Sequence, residues 1–382
     1  MEKRKKRLKI ADCLYADSER NSDQLYLSHF WAPDPFLSLK IGRRKIGVLS
    51  DLEYGRARSE SSFTEILSLT AVRCSASEWL GKKRVCVADQ IALLAHIYAI
   101  DQLRLPGDFP ARLVEDFRQR GLSYKIERGP FFPSRQIKSA EEVEKIREGN
   151  RCSAAGHREV RRLLRSSTIK GETLYFKDRP LTSERVRQAI EVACLKAGGI
   201  SAMTIVAGGD QACDPHSRGS GPLRANELIV VDIFPRMSAH GYFGDMTRTY
   251  LKGRASDAQR SLVETVRSAQ KLGFSQIRAL INGRTIHRSI TEFFAAEGFK
   301  TTTVNGVPQG FVHGTGHSLG LDIHEFPRIS TANHRLRSGH VVTVEPGLYY
   351  HGLGGCRIED VVLVTKTGYQ MLSEAPYQWQ FP

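Results

Sequence analysis

The glycine-rich segment 313–325, HGTGHSLGLDIHE, contains the residues of two different kinds of catalytic site. His313, His317 and His324 are side chains that bind transition metals and exchange protons near neutral pH. Residues 316–320, GHSLG, also match the G-x-S-x-G pattern, in which a nucleophilic serine stands on a strained turn between a strand and a helix. The segment is therefore compatible with a metallohydrolase and with a serine hydrolase.

The serine hydrolase needs a helix directly after Ser318 and a predominantly parallel sheet that supports the turn. Pro327 would break such a helix within about two turns, and no segment of the sequence predicts a sheet of that kind. A pattern that fixes only three positions also arises by chance in a glycine-rich loop. We therefore disfavour this interpretation, whose triad would be Ser318, Asp322 and one of His334, His340 and His351.

Four carboxylates next to apolar segments favour the metallohydrolase. Asp232 lies near the end of ELIVVDIF and Asp245 directly before MTRTYL, whereas Glu345 ends HVVTVE and Glu359 begins EDVVLV. An isolated ionised carboxylate is costly to bury, so these groups need positively charged partners. Two divalent cations would neutralise the four charges and leave room for one bridging hydroxide, which is the arrangement of a two-metal hydrolase.

Arginines are the alternative partners of these acids. Arg248, Arg328 and Arg357 are close to them in the sequence, so a structural network of ion pairs would also neutralise the carboxylates. Four acids at strand ends together with a histidine-rich loop are more than such a network requires. The residues therefore favour metals, while the ion pairs stay open as an alternative.

The elements that carry the acids predict an α+β fold. The connection 235–244, PRMSAHGYFG, contains the proline and glycines of a chain reversal, so a hairpin would bring Asp232 and Asp245 to one end of a strand pair. Because strands pair with strands nearby in the sequence, we expect a largely antiparallel sheet. The strands are predicted at 227–234, 246–251, 340–346 and 358–364, and the helices at 139–164, 183–197, 256 onward and 285–297. Two of these helices open with S-x-x-E or S-x-x-Q capping boxes, at Ser139 and Ser256.

The chain before this region predicts a smaller α/β unit. Strands are expected at 45–50 and 84–89, and helices at 63–72 and 110–121. The proline-flanked segment 127–138, ERGPFFPSRQIK, interrupts the pattern and indicates a boundary. We therefore expect two domains, 1–137 and 138–382.

Composition limits the class of protein. A chain of 382 residues with 41% hydrophobic and 25% charged residues has the composition of a folded protein of two domains. The net charge of +15 would suit nucleic acid, but a generally basic surface is the simpler explanation. The apolar run 91–100 is shorter than the roughly 20 residues that span a bilayer, and the basic start lacks the apolar region of a secretory signal. Seven widely spaced cysteines without a C-x-x-C pair indicate reduced thiols. We expect a cytoplasmic protein that binds neither membrane nor nucleic acid.

Four motifs in order resemble the signatures of the pita-bread (M24) metallopeptidases: DMTRTY, HGTGHSLGLDIHE, VEPGLYY and RIEDVVLV. This family contains Xaa-Pro aminopeptidases, prolidase, methionine aminopeptidase and creatinase. The resemblance covers 138–382, and a weaker match of 1–137 to a creatinase-type N-terminal domain favours the branch of Xaa-Pro aminopeptidases and prolidase. It implies a C-terminal pita-bread fold, with an antiparallel sheet flanked by helices, after a smaller α/β domain.

The resemblance also implies a metal centre. Asp232 would be a terminal ligand of one ion, Asp245 and Glu359 would bridge two ions, and His317 and Glu345 would complete the second. A site dominated by carboxylates suits Mn²⁺ and tolerates Co²⁺, Zn²⁺ or Fe²⁺. We therefore expect two divalent metal ions as cofactors.

The implied reaction is hydrolysis of an Xaa-Pro bond, at the N-terminus of a short peptide or in a dipeptide, by a hydroxide that bridges the metals. Glu345 would shuttle the proton, and His313, His324 and His216 would lie on the substrate side. Family members are usually dimers, which implies a homodimer. One departure is that Asp232 and Asp245 are thirteen positions apart, two more than is usual in this branch; an even insertion keeps both side chains on one face.

Two other functions stay open at this point. Pita-bread domains also occur as nucleic-acid-binding or protein-binding modules that have lost the metal ligands, and the basic charge would suit such a role. Creatinase hydrolyses a C–N bond that is not a peptide bond, but lacks the full ligand set. All five implied ligands are present in this chain, which favours the peptidase.

Overall fold

The first of two compact units ends at Pro133 and is built on one six-stranded sheet. The structure, a computed structural model, describes residues 8–382. The strands of this unit are β1 (Ile10–Ala16), β2 (Phe36–Ile41), β3 (Arg44–Leu49), β4 (Glu65–Ser68), β5 (Gln102–Leu105) and β6 (Tyr124–Ile126). Its helices are α1 (Ser22–Ser28), α2 (Asp51–Glu60), α3 (Leu69–Leu80), α4 (Val87–Ile97) and α5 (Ala111–Gln119).

The sheet of the first unit is mixed, with the strand order β4-β3-β2-β1-β5-β6. β1, β2 and β3 form an antiparallel meander, whereas β4, β5 and β6 each run parallel to a neighbour. Apolar residues of β1 to β3, such as Leu39 and Ile46, pack against α4 and α5. The α/β unit predicted from the sequence is therefore confirmed.

Two local predictions in this unit are wrong. The segment 84–89 is predicted as a strand but contains the start of α4, because the Asp89 carboxylate accepts a hydrogen bond from the Cys86 backbone N–H (2.9 Å) and caps the helix. The segment 63–72 is predicted as a helix but contains β4, which pairs with β3, before the first turn of α3. A cap and a tertiary strand pairing thus override local propensity.

The second unit, Ser134–Pro382, carries the motifs identified above. Its helices are α6 (Ala140–Ser166), α7 (Ser183–Lys196), α8 (Asp257–Gln276) and α9 (Gly283–Ala296). Its first strands are β7 (Thr168–Lys170), β8 (Thr173–Phe176), β9 (Arg179–Pro180), β10 (Gly199–Ile200), β11 (Ile205–Gly208), β12 (Leu228–Ile233), β13 (Arg236–Met237), β14 (Met246–Lys252) and β15 (Thr302–Val304). The others are β16 (Val307–Gln309), β17 (Gly316–Ser318), β18 (Glu325–Ile329), β19 (Val341–Val344), β20 (Gly347–Tyr350), β21 (Gly354–Arg357), β22 (Asp360–Val364), β23 (Tyr369–Met371) and β24 (Gln380–Phe381).

Two sheets dominate the second unit. One has the order β11-β12-β14-β24 and the other β18-β17-β19-β22-β23. Among the described residues, their strand pairings are antiparallel except that of β14 with β24. This confirms the α+β class and the antiparallel sheet flanked by helices. None of the helices described in residues 8–382 is long and apolar enough to cross a membrane.

The four helices start within two residues of the positions predicted from the sequence. The hydroxyls of Ser139 and Ser256 each accept a hydrogen bond from the backbone N–H three residues later. In return, the side chains of Glu142 and Gln259 accept a hydrogen bond from the backbone N–H of the serine. These are complete capping boxes, which satisfy N–H groups that have no partner within the helix.

Separate clusters of buried apolar residues lie behind the two sheets. α6 and α7 pack on the first sheet through residues such as Ile190 and Val231. α8 and α9 pack on the second sheet through residues such as Val266 and Val344. The second cluster also contains Leu228 and Leu251 of the first sheet, so the two clusters adjoin there.

Helix α6 lies in direct backbone contact with the loop that precedes Asp245. A Cβ atom on Gly149 would come within 2.4 Å of the Gly244 backbone nitrogen, and one on Gly244 within 2.0 Å of the Gly149 carbonyl carbon. Farther along α6, His157 Nε2 lies 3.0 Å from the Met246 carbonyl oxygen. The helix therefore fixes the position at which β14 begins.

We expect Gly149→Ala to destabilise the second unit, because the new methyl group meets backbone atoms that cannot rotate away. Overpacking of this kind costs about 1–3 kcal/mol in the free energy of unfolding. The measurement is urea unfolding followed by the fluorescence of Trp379, in a background that carries Trp31→Phe and Trp79→Phe.

The matched control is Gly156→Ala on the same helix. Its new Cβ would meet side-chain carbons of Ile233 and Ile190, at 2.8 and 3.0 Å, and these are free to shift. We expect a smaller loss of stability. An equal loss for both variants would contradict the assignment of Gly149 as a point of backbone contact.

Candidate metal centre

Asp232 and Asp245 lie at one end of the strand pair β12 and β14. The antiparallel register places Asp232 opposite Thr247. Asp245 precedes Thr247 by two positions, so all three side chains point to the same face. The Asp245 backbone N–H donates to Asn150 Oδ1 (2.9 Å), which ties this end of the pair to α6. The strand pair predicted around segment 235–244 is confirmed, and it brings two of the predicted ligands together.

The longer connection between the two aspartates forms a small hairpin of its own. Arg236 in β13 makes a β-bridge with Phe243, and β13 also pairs with β10. The additional residues are absorbed in this hairpin, beyond the ends of β12 and β14. Asp232 and Asp245 therefore keep a common face despite the longer spacing.

Glu345 and Glu359 lie next to each other at the end of the second sheet. Val344 and Asp360 are paired across β19 and β22, and the two glutamates are the next residues beyond that pair. Thr247 joins Glu359 to the first sheet: its hydroxyl donates to Glu359 Oε2 (2.7 Å), and its carbonyl oxygen accepts from the Glu359 backbone N–H (3.0 Å). The ends of the two sheets thus meet at the acids.

His317, in β17, presents a ring nitrogen to the acids. Its Nδ1 lies 3.2 Å from the Ser318 carbonyl oxygen. Because a carbonyl oxygen only accepts, Nδ1 carries the proton and Nε2 has a free lone pair. Nε2 lies 3.7 Å from Asp245 Oδ2 and 3.5 Å from Glu345 Oε1. Burial, with a contribution from His324, lowers the pKa of His317 to about 3, so the ring is neutral and able to bind a metal.

The buried acids repel one another. Burial and the neighbouring carboxylates raise the pKa of Asp245 and of Glu359 well above the ordinary values. Burial is also the main cause that raises the pKa of Glu345 to about 7, although Arg357 acts against it. The raised pKa values mean that the ionised forms of these acids cost free energy in the metal-free protein.

Two oxygen atoms in the centre lack any hydrogen-bond partner among the described residues. They are Asp232 Oδ1 and Glu359 Oε1, and both are buried. Ligand atoms of Asp245, His317 and Glu359 lie within 4.8 Å of one another, close enough to share an ion. Carboxylates with one imidazole form a hard donor set that suits divalent cations such as Mn²⁺. The residues therefore fit the metal ions that the motifs imply.

Arg357 is the partner of one acid, so the ion-pair alternative is correct in part. Its Nη2 lies 2.8 Å from Asp232 Oδ2, and its Nη1 donates to the Tyr349 hydroxyl (3.0 Å). Arg248 pairs instead with Asp360, at 2.7 Å. The other acids of the centre thus keep their need for a cation.

Sequence reasoning missed the groups that hold the ligands in place. Thr247 and Asn150 are outside the implied ligand set, and Tyr349 was unassigned within VEPGLYY. Thr343 accepts the His317 backbone N–H at its hydroxyl oxygen (3.0 Å), and this hydroxyl lies 3.4 Å from Glu345 Oε1. Thr247 and Thr343 could have been identified from the sequence, because each lies two residues from a ligand and therefore on the same face of its strand.

The three substrate-side histidines lie around His317 and its neighbours. The His324 ring is 4.5 Å from the His317 ring, nearly perpendicular to it. His313 Nδ1 donates to the Gly314 carbonyl oxygen (2.7 Å), so its Nε2 accepts from the Tyr349 hydroxyl (2.9 Å). His216 is exposed, and its charge contributes to the lowered pKa of both His313 and His324. The structure therefore places His324 against His317 and His313 against Tyr349, with His216 near enough to influence both His313 and His324.

Ser318 is not placed as a nucleophile. It lies in β17, is fully buried, and accepts a hydrogen bond at Oγ from Lys138 Nζ (3.2 Å), which also pairs with Glu325 (2.7 Å). The next element is a strand, β18, and not a helix. Asp322, the acid of the alternative triad, pairs with Arg135 (2.7 Å). The serine hydrolase is therefore wrong, because the strained turn that it needs is not formed.

Known proteins share these features. Residues 144–366 match the model of metallopeptidase family M24. A Xaa-Pro dipeptidase of Pyrococcus furiosus is 34% identical over 173 residues, which span 45% of this chain and 47% of that protein. An uncharacterized peptidase of Bacillus subtilis is 30% identical over 246 residues, 63% of either chain. The chain thus spans less than two thirds of the length of these curated relatives.

The fold also matches a solved structure over nearly its whole length. The X-Pro aminopeptidase of Thermotoga maritima superimposes with a TM-score of 0.80 at 22% identity, covering 98% of this chain and 97% of that chain. At this identity the likeness concerns the fold.

We expect the metal-free protein to lose stability as the pH rises from about 7 to 8.5. In this range histidines with an ordinary pKa near 6.5 are mostly neutral in the folded and in the unfolded protein. The acids with a raised pKa keep their protons in the folded protein but have lost them in the unfolded protein. Folding therefore costs more as these protons are lost. The measurement is the urea unfolding midpoint of chelator-treated protein across this range.

Saturating Mn²⁺ should remove or reverse this slope, because the ion binds the deprotonated acids. The variant Asp245→Asn, which removes one of the repelling charges, should flatten the slope without metal. A midpoint that is constant or rises with pH in the chelator-treated wild type would contradict the repulsion described here.

We expect Ser318→Ala to retain most of the hydrolytic activity, because Lys138 keeps its pairing with Glu325. The loss of one hydrogen bond lowers the free energy of unfolding by about 1 kcal/mol. The measurement is the initial rate with the peptide substrates proposed below, and His317→Gln is the comparison variant with a broken centre. A loss of about 10³-fold or more would revive the serine nucleophile.

Proposed function

Since the chain belongs to metallopeptidase family M24, we propose that it is a metal-dependent exopeptidase that hydrolyses Xaa-Pro bonds. Its substrate is a short peptide with proline after the N-terminal residue, or an Xaa-Pro dipeptide. The names of a Pyrococcus furiosus relative, a Xaa-Pro dipeptidase, and of a Thermotoga maritima structure, an X-Pro aminopeptidase, support this substrate class.

The observation that carries the proposal is the convergence of four carboxylates on one neutral imidazole. His317 directs its Nε2 lone pair between Asp245 and Glu345. Two buried oxygens, on Asp232 and Glu359, have no partner among the described residues. A purely structural network would satisfy these atoms with hydrogen bonds, whereas metal ligands leave them free for an ion.

Each side chain has a defined role in this proposal. Asp232, Asp245, His317, Glu345 and Glu359 would together hold two divalent metal ions. When bound, two Mn²⁺ ions supply a Lewis acid and make water acidic enough to attack near neutral pH. Arg357 and Thr247 keep Asp232 and Glu359 in position through the bonds described above.

Glu345 moves the proton. Its carboxylate accepts a proton from the attacking water and gives it to the leaving nitrogen. This transfer matters when the leaving residue is proline. Without the proton, proline would have to leave as a secondary amine anion, which is a very poor leaving group. Glu345 is well placed for both steps, since it lies beside His317 and is partly exposed, with 17% of its side chain accessible.

The histidines orient the substrate. His324 and His216 are exposed next to the centre, so they face the space that a peptide would enter. The Tyr349 hydroxyl, hydrogen-bonded to His313 Nε2 and Arg357 Nη1, sets the orientation of the His313 ring. These groups bind the substrate carbonyl and backbone, because an Xaa-Pro bond has no N–H to donate.

The proposal extends to the whole chain. Residues 1–137 form a creatinase-type domain, and residues 138–382 form the catalytic domain. The protein acts as a homodimer in the cytoplasm. Support for a reducing compartment comes from the seven cysteines, all of them free thiols in the structure.

We expect chelator-treated protein to cleave Xaa-Pro dipeptides or Xaa-Pro-Yaa tripeptides only after Mn²⁺ is restored. Glu345→Gln should lose activity by about 10²-fold or more, because it removes both the proton shuttle and a ligand. Glu374→Gln, at an exposed glutamate, is the matched control and should keep wild-type rates. The preferred peptide length then distinguishes a dipeptidase from an aminopeptidase.

Two results would contradict the peptidase. If two metals bind but no peptide is cut, the chain acts on another C–N bond, which small amidines and N-acyl amino acids would reveal. If no metal binds, the chain is a binding module, and its affinity for nucleic acid should fall steeply with salt.

A further inference from the structure

A second group of potential metal ligands lies outside the centre described above. It consists of Asp210 and Cys213, in the short 3-10 turn Gly209–Cys213 that follows β11, and His351, directly after β20. One ligand atom from each of the three side chains lies within 4.8 Å of the others. A carboxylate, a thiol and an imidazole thus converge on one point between the turn and the β20–β21 hairpin.

The sulfur of Cys213 sits against the end of that hairpin. The residue is 8% exposed. Burial and the Asp210 charge raise the pKa of its thiol to about 12, although the backbone N–H groups of Tyr350 and Gly354 act against this shift. The thiol is therefore neutral while no cation offsets its burial, and a metal ion that binds the sulfur would displace its proton.

Asp210 is held in place by the same hairpin. Its Oδ1 accepts a hydrogen bond from the Gly352 backbone N–H (2.7 Å). The Glu227 carboxylate lies against Gly209, and burial together with the Asp210 charge raises its pKa. The region is therefore negatively charged, and this attracts a cation even though Arg224 partly compensates it.

We propose that Asp210, Cys213 and His351 bind a Zn²⁺ ion, with water as the fourth ligand. Sulfur, nitrogen and oxygen ligands at about 2.0–2.3 Å are those of tetrahedral zinc. His351 and Asp210 are exposed, so small rotations of their side chains bring the ligand atoms to bonding distance. The thiolate selects zinc over the harder Mn²⁺ that suits the carboxylate centre.

The ion would fasten the turn to the hairpin. The contact is already close: a Cβ atom on Gly355 would lie 2.2 Å from the Ala212 carbonyl oxygen. The hairpin carries Tyr349 and Arg357, which hold His313 and Asp232, and Arg357 Nη1 also donates to the Pro215 carbonyl oxygen (3.3 Å). The zinc site thus acts as a clamp: it holds the hairpin whose Tyr349 and Arg357 position His313 and Asp232, although the zinc ligands lie outside the carboxylate centre.

Co²⁺ is the probe for this site, because a thiolate bound to Co²⁺ gives an intense near-ultraviolet absorption band. The carboxylate centre contains no cysteine, so it gives no such band whatever metal it holds. The experiment titrates Co²⁺ into full-length protein that has been loaded with Mn²⁺. We expect the band in a Cys74→Ala, Cys86→Ala background, which removes the two exposed cysteines, and its complete loss when Cys213→Ala is added.

His351→Gln keeps the proposal testable if Cys213→Ala fails to fold, because His351 is exposed. We expect its Co²⁺ affinity, read from the same band, to fall about tenfold or more, since even groups that only support a ligand contribute that much. Zn²⁺ should raise the thermal midpoint of Mn²⁺-loaded wild type and leave that of His351→Gln unchanged. Loss of the clamp should raise KM more than it lowers kcat.

Either of two results would overturn the site: no thiolate band in the Cys74→Ala, Cys86→Ala background, or a band that persists in Cys213→Ala. Both results are independent of peptidase activity, so failure of the zinc site and failure of the proposed function are distinguishable.

Discussion

The repulsion between four carboxylates buried in one space is the constraint on which the second unit depends. Ionised acids that are excluded from water are costly without positive charge, and Arg357 pairs with Asp232 but only partly offsets the burial of Glu345. The groups around the acids all limit this repulsion or fix its geometry. Thr247 and Thr343 hold single carboxylate oxygens, Asn150 holds the backbone of Asp245, and the His317 ring turns a lone pair toward the acids. The role of these side chains is to position the acids.

The fold meets this constraint by ending two sheets at the same point. Strand ends are suitable because the last side chains of a sheet project beyond its hydrogen-bonded ladder while the strands behind them stay rigid. The antiparallel register brings residues that are distant in sequence into neighbouring positions, as with Glu345 and Glu359. Helix α6 then fixes the start of β14 through the contact of Gly149 with Gly244. The chemistry thus rests on backbone positions that carry no functional group.

Much of this was readable in the sequence, and the reasons are physical. Capping boxes and apolar periodicity depend on neighbouring residues, so α6 and α8 and the central strands were predicted correctly. The acids were recognisable because Asp and Glu are almost never buried without a charged partner, so acids beside apolar strands indicate a binding partner. Arg357 was a candidate partner of the acids from its sequence position, but its pairing with Asp232 and the role of Tyr349 could not be assigned, since they depend on three segments meeting in space. The start of α4 was mistaken for a strand because Val85 and Val87 suit either element, and the cap from Asp89 decided it.

The division of the second unit's apolar core into two clusters has a consequence for cooperativity. The buried polar seam, where Thr247 meets Glu359, is a place at which the two halves of the second unit depend on each other. Ions bound at that seam would be ligated from both sheets, so they would couple the melting of one half to the melting of the other. The loaded protein would then unfold as a single block, whereas the stripped protein would open along the seam first. The cofactor would in this way set the size of the folding unit as well as the chemistry.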